Sequence, residues 1–75
     1  FNPSTLIEYA LPRDAFVRLE VFGVLGQQIT TLVQEERSAG YHAVRFNAGG
    51  LPSGVYYYRI VAGDFVLVKR MLLVK

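Results

Sequence analysis

Seventy-five residues suffice for one small domain and leave no room for a second core. No cysteine is present, so neither disulfides nor thiolate metal sites reinforce a chain that buries only about 60–65% of its unfolded surface. With 52% hydrophobic and 19% charged residues and a net charge of +2, the composition excludes a disordered tail and makes no electrostatic case for nucleic acid.

The chain opens with Phe1-Asn2-Pro3-Ser4-Thr5, without initiator Met, basic n-region or apolar h-region. It reads as the middle of a turn cut from a longer parent, with any export signal upstream. Pro3 disqualifies Asn2-Pro3-Ser4 as a glycosylation sequon. From residue 4 to 11 the chain alternates, with Ile7, Tyr9 and Leu11 on one face and Glu8 on the other, until Pro12-Arg13-Asp14 turns it. Residues 15–22 alternate more cleanly: Val17, Leu19 and Val21 against Arg18 and Glu20. Val24-Leu25-Gly26-Gln27 is the next turn, with Gly26 placed for positive φ. Residues 28–33 are β-branched and suit a pleated surface.

Glu35-Glu36-Arg37-Ser38-Ala39-Gly40, the most polar stretch, reads as an exposed loop. Alternation resumes over residues 41–47, with His42, Val44 and Phe46 sharing a face. The breaker cluster Gly49-Gly50-Leu51-Pro52-Ser53-Gly54 precedes an aromatic strand in which Tyr56, Tyr58 and Ile60 face inward and Arg59 outward. Ala62-Gly63-Asp64 is a hairpin connection into a last run over residues 65–74. No segment carries an apolar helical stripe. Six strands, or seven if Phe1 or the Gly49 region adds one, predict an all-β antiparallel β-sandwich, with a small barrel as the second choice.

The chemistry-bearing residues point away from catalysis. His42 is the sole histidine and reads as a half-buried strand residue rather than a general base. Ser4, Ser38 and Ser53 sit in turns, where their hydroxyls serve the backbone. Apart from Glu35-Glu36 the carboxylates are scattered, and one His without Cys gives no metal site. The glycine pairs lack the following helix of a phosphate cradle, so no cofactor is expected. The eight basic residues are dispersed rather than clustered, against nucleic-acid binding. The apolar run Met71 to Val74 is far short of the roughly 20 residues needed to span a bilayer. Tyr57, facing opposite to Tyr56 and Tyr58, is the one aromatic placed to stack on a sugar.

Four segments together resemble a known family: Phe1-Asn2-Pro3-Ser4-Thr5, Val21-Phe22-Gly23-Val24-Leu25-Gly26-Gln27, Ala39-Gly40-Tyr41-His42-Ala43-Val44-Arg45-Phe46, and Leu51-Pro52-Ser53-Gly54-Val55-Tyr56-Tyr57-Tyr58-Arg59. The pattern is similar to the C-terminal (type A) sorting domains of bacterial type IX secretion, which are close to the Ig-like domain of the flagellar hook-capping protein. The ending Lys69-Arg70-Met71-Leu72-Leu73-Val74-Lys75 also resembles that family's basic-then-apolar close. Gly23 stands where the family usually has Asp or Asn, and Phe22 where Tyr is common. The Pro-Asn-Pro lead-in is missing.

The resemblance implies an Ig-like or fibronectin-like sandwich that acts as an address rather than an enzyme. Its partners are outer-membrane secretion machinery and a sortase-like peptidase, and its destination, by way of the periplasm, is secretion or the outer cell surface. The alternative is an Ig-like structural module or a carbohydrate-binding accessory of a secreted enzyme. Two segments are candidate recognition elements. Leu51, Pro52, Ser53 and Gly54 must reverse the chain in register, with Gly54 at positive φ or where a Cβ clashes. Lys69, Arg70, Met71, Leu72, Leu73, Val74 and Lys75 form a strand apolar on both faces, with Lys69-Arg70 breaking the alternation as a bulge would. Ile7, Tyr9, Val17, Leu19, Val21, Ile29, Val44, Phe46, Tyr56, Tyr58 and Ile60 are the expected core.

Overall fold

The computed structural model describes residues 3–74. Alternating sequence becomes six strands: β1 (Ser4–Leu11), β2 (Ala15–Gly23), β3 (Gln28–Arg37), β4 (Gly40–Asn47), β5 (Gly54–Ala62) and β6 (Phe65–Leu73). The described residues contain no helix, and none is long and apolar enough to cross a membrane. All pairing is antiparallel, in a two-stranded sheet β1-β4 and a four-stranded sheet β3-β2-β5-β6. The chain changes sheet after β1, β3 and β4, which brings two one-sided sheets face to face as a β-sandwich. No seventh strand occurs among the described residues: the Gly49 region is turn and bend, and Phe1 lies outside them.

One apolar cluster joins the sheets. Ile7, Tyr9 and Leu11 of β1 and Phe46 of β4 meet Val17, Leu19 and Val21 of β2 and Tyr56, Tyr58 and Ile60 of β5. Val33, Ala48, Ala62, Met71 and Leu73 complete it. Ile29 and Val44 lie at its margin, packed against the core but only partly buried. Val44 is peripheral because β4 is the less covered strand of the small sheet, and Ile29 because it sits in a bulge.

That bulge is one of two on β3. The register steps from Leu19↔Val33 to Glu20↔Thr31 and from Val21↔Thr30 to Phe22↔Gln28, so Leu32 and Ile29 have no residue opposite them in β2. Bulges on an edge strand bend it away from foreign strands. Beyond them β3 runs further than its polarity predicts. Glu35, Glu36 and Arg37 are strand residues opposite Val17, Phe16 and Ala15, not a loop. Glu35 and Glu36 are exposed, as expected, while Arg37 is partly buried with its Nε shielded from solvent; an edge backbone needs no apolar side chains to pair with a buried neighbour.

At the β2–β3 hairpin Gly26 donates to the Gly23 carbonyl at 3.0 Å and Gly23 to the Gln27 carbonyl at 2.9 Å. Gly26 takes φ +88°, as its place in the turn predicts. Asp14, in the β1–β2 connection, accepts a hydrogen bond from the Ala39 amide at 2.7 Å through Oδ1. This ties together two of the connections that carry the chain between sheets.

Candidate functional site

The two recognition segments predicted from sequence lie together at one end of the β5–β6 pair. The pairing runs without interruption from Gly54↔Leu73 to Ala62↔Phe65, so the residue that launches β5 is opposite the last residue of β6. The connection before β5 is held by its own backbone and side chains. Leu51 donates to the Ala48 carbonyl at 3.0 Å, and Gly49 to Asn47 Oδ1 at 3.0 Å. The Tyr56 hydroxyl donates to the Pro52 carbonyl at 2.7 Å. Gly54 takes φ +153°, and a Cβ there meets no atom within 4 Å. Of the two reasons expected for glycine at this position, backbone conformation applies and steric clash does not. Pro52 and Ser53 are exposed.

β6 is the outer strand of the four-stranded sheet. Met71 and Leu73 point into the sandwich, Leu73 being completely buried. Leu72 (57% exposed) and Val74 (53%) point out, so the apolar ending divides between core and surface as its two-faced pattern predicts. The expected bulge at Lys69-Arg70 does not exist: Tyr58↔Lys69 and Tyr57↔Arg70 are in continuous register. Alternation fails there because Lys69 occupies an inward position yet is exposed, as the structure is open along this edge. A charged residue at an inward position of an edge strand is a recognised guard against unwanted pairing. Lys75 lies outside the described residues.

Sequence reasoning placed the strand over residues 65–74 but singled out only its second half as apolar on both faces. Val66 (59% exposed) and Val68 (57%) continue the outward apolar row toward the hairpin. Phe65-Val66-Leu67-Val68 is as continuously apolar as Met71-Leu72-Leu73-Val74, and that signal was available.

Tyr57 lies on the outer face as predicted, between Phe22 of β2 and Arg70 of β6 in register, and is partly buried. The Arg59 guanidinium covers the Phe22 ring at 4.9 Å from its centroid and bonds Glu20 Oε1 at 3.1 Å, so this second aromatic is already occupied. His42 stacks on Tyr9 with ring centroids 5.4 Å apart, and its Nε2–H donates to the Ser38 carbonyl at 2.7 Å. Its ring thus spans the edge of the small sheet and the β3–β4 connection. At the other end of the sandwich an open cleft of about 530 Å³ is bounded by the β1–β2 turn and the β5–β6 hairpin, with Asp14 and Asp64 on its walls. Asp14 is engaged with Ala39. The described residues contain no cluster of three or more His, Cys, Asp or Glu that could hold a metal ion. Compared with family models, curated proteins and solved structures, the chain matches none of them.

Proposed function

We propose that this chain is a non-catalytic secretion and cell-surface attachment domain, read by bacterial type IX secretion machinery. Its partners in this reading are the outer-membrane apparatus and a sortase-like peptidase, reached through the periplasm. The motifs from Phe1 to Arg59 support the family resemblance, and the observation that carries the function is β6. The strand completes the core with Met71 and Leu73 while presenting an exposed apolar row on the rim of the sheet. An edge unpaired among the described residues and flanked by such a row suits recognition by strand addition, with the charges of Lys69 and Arg70 restricting which strands can add.

The test is export of a folded reporter carrying residues 1–75 at its C-terminus in a type IX-competent bacterium. The fusion should reach the cell surface, and in a strain lacking the outer-membrane machinery it should stay in the periplasm. A folded fusion retained in the periplasm of the competent strain defeats the proposal. The competing reading, a carbohydrate-binding accessory module, draws on outward Tyr57. With Phe22 capped by Arg59, no uncovered ring stands beside Tyr57, since exposed Phe16 lies at the far end of β2 and exposed Tyr41 belongs to the other sheet, which makes a weak platform for a sugar.

A further inference from the structure

The rim of β6 combines three features. No described strand pairs along it, so backbone donors and acceptors face outward there. Val66 and Val68, each more than half exposed, stand on the outer face of the same segment. The side chains of Lys69 and Arg70 are exposed and make no hydrogen bond or ion pair among the described residues, whose ion pairs join Arg37 to Glu35 and Arg59 to Glu20. Being consecutive on a strand, the two cations point to opposite faces of the sheet.

We infer that the rim of β6 from Val66 to Met71 receives an extended, apolar segment of another protein that carries two consecutive carboxylate residues. The added strand continues the sheet through backbone hydrogen bonds. Its carboxylates meet Lys69 on one face and Arg70 on the other, and its apolar residues cover Val66 and Val68. Successive side chains alternate faces, so an adjacent acidic pair is the arrangement that satisfies both cations at once.

A second copy of this chain, paired β6 to β6, brings no carboxylate to this rim, because residues 65–73 contain none. A two-fold axis normal to the sheet through Lys69 sets Lys69 against Lys69, and one through Arg70 sets Arg70 against Arg70. Like charges directly opposite one another repel. The chain's own consecutive acids, Glu35 and Glu36, lie on the rim of β3, but Glu35 is paired with Arg37 at 3.0 Å and the bulges at Leu32 and Ile29 break that rim. The complementary acidic strand therefore belongs to a different protein. The inference rests on the export reading for where that protein is found, while the chemistry of the rim can be tested apart from export.

The isotope-labelled chain is titrated with an end-blocked peptide, Thr-Val-Thr-Glu-Glu-Val-Thr, and with its counterpart bearing Lys-Lys at the centre. Amide shifts and slowed hydrogen exchange should map to residues 66–71, with the acidic peptide binding about tenfold more tightly. Lys69→Glu with Arg70→Glu should invert the preference while the remaining spectrum stays native. If that double reversal unfolds, Lys69→Gln with Arg70→Gln should abolish the preference. Equal binding of both peptides, no binding, perturbation centred on β3 or β1, or self-association through β6 in sedimentation overturns the inference. Acidic-peptide binding with unimpaired reporter export of the charge-reversed chain keeps the rim chemistry and removes the export role. Export that depends on Lys69 and Arg70 without peptide binding does the reverse.

Discussion

Tyr56 hooks its hydroxyl onto the carbonyl of Pro52, four residues upstream, at 2.7 Å. The ring is buried in the sandwich, so the bond fastens the irregular connection to the core at the point where β5 begins. This is the geometry called a tyrosine corner in Greek-key sandwiches. It gives the Leu51–Gly54 segment a structural job whether or not anything docks on it.

Tyr56→Phe should therefore cost about 1 kcal/mol and lower the melting temperature by roughly 4–8 °C. Gly54→Ala and Gly54→Val should each cost about 1–3 kcal/mol, because the penalty lies in the backbone conformation and a Cβ has open space. A thermal melt in which Ala is harmless and only Val destabilises would show that bulk, not φ, selects glycine here. Ser53→Lys separates structure from docking: with a native melt, lost export assigns recognition to this turn and normal export leaves it a corner.

The two faces of β6 should behave differently. Leu73→Ala empties a fully buried site and should cost about 2–5 kcal/mol, enough to unfold much of so small a domain. Val68→Thr on the exposed row should change stability by no more than about 0.5 kcal/mol. Reporter export that falls with Val68→Thr while denaturant melts coincide with wild type identifies the outward row as the part that is read.

Arg59 and Glu20 form an asymmetric pair. Glu20 is buried, whereas the Arg59 side chain remains substantially exposed and also covers Phe22. Removing the arginine strands a carboxylate that water reaches poorly; removing the glutamate frees a guanidinium that can turn toward solvent. Arg59→Ala should thus cost about 2–3 kcal/mol and Glu20→Ala about 1 kcal/mol. A double-mutant cycle by urea denaturation checks the order, and a larger loss for Glu20→Ala contradicts this account.

Burial pushes the Tyr58 hydroxyl above the ordinary tyrosine value of 10.0. The unfolded chain therefore releases this proton at lower pH than the folded one. Stability tied to Tyr58 is fully present below pH 10 and is lost as pH rises through the folded value. Denaturation midpoints should fall with pH from about 10 upward, and less steeply in Tyr58→Phe. Identical slopes for the two proteins would place the alkaline loss elsewhere.

Most of the sandwich is legible because its strands are one-sided: Val17-Leu19-Val21 and Tyr56-Tyr58-Ile60 give both period and facing. Failures cluster at the rims. Glu35, Glu36 and Arg37 read as loop because side-chain polarity reports exposure, not backbone pairing. Lys69 read as a bulge because a charge at an inward position looks like a shifted register, although the register is continuous. Thr30 and Thr31 obscured the bulges of β3, since threonine suits either face. The turn and the last strand were visible as candidates. Their meeting at Gly54↔Leu73 emerges only when the hairpin at Gly63-Asp64, which sets the register, is followed back along the full length of both strands.

Among the described residues β1 has β4 as its sole strand neighbour, and its partners Ser4↔Asn47 and Leu11↔Gly40 lie far apart in sequence, whereas β2–β3 and β5–β6 are hairpins closed by short turns. The small sheet should consequently be the last part to assemble and the first to open, a clasp shut over a larger sheet already in place. Ile7→Val, which trims the buried face of β1, should hasten unfolding and leave the folding rate nearly unchanged, whereas Ile60→Val in central β5 should slow folding. In a chain that starts unfolded, the order of these events decides when the domain locks shut: the four-stranded sheet can stand while the sandwich is still open, and only the arrival of β1 beside β4 completes the core.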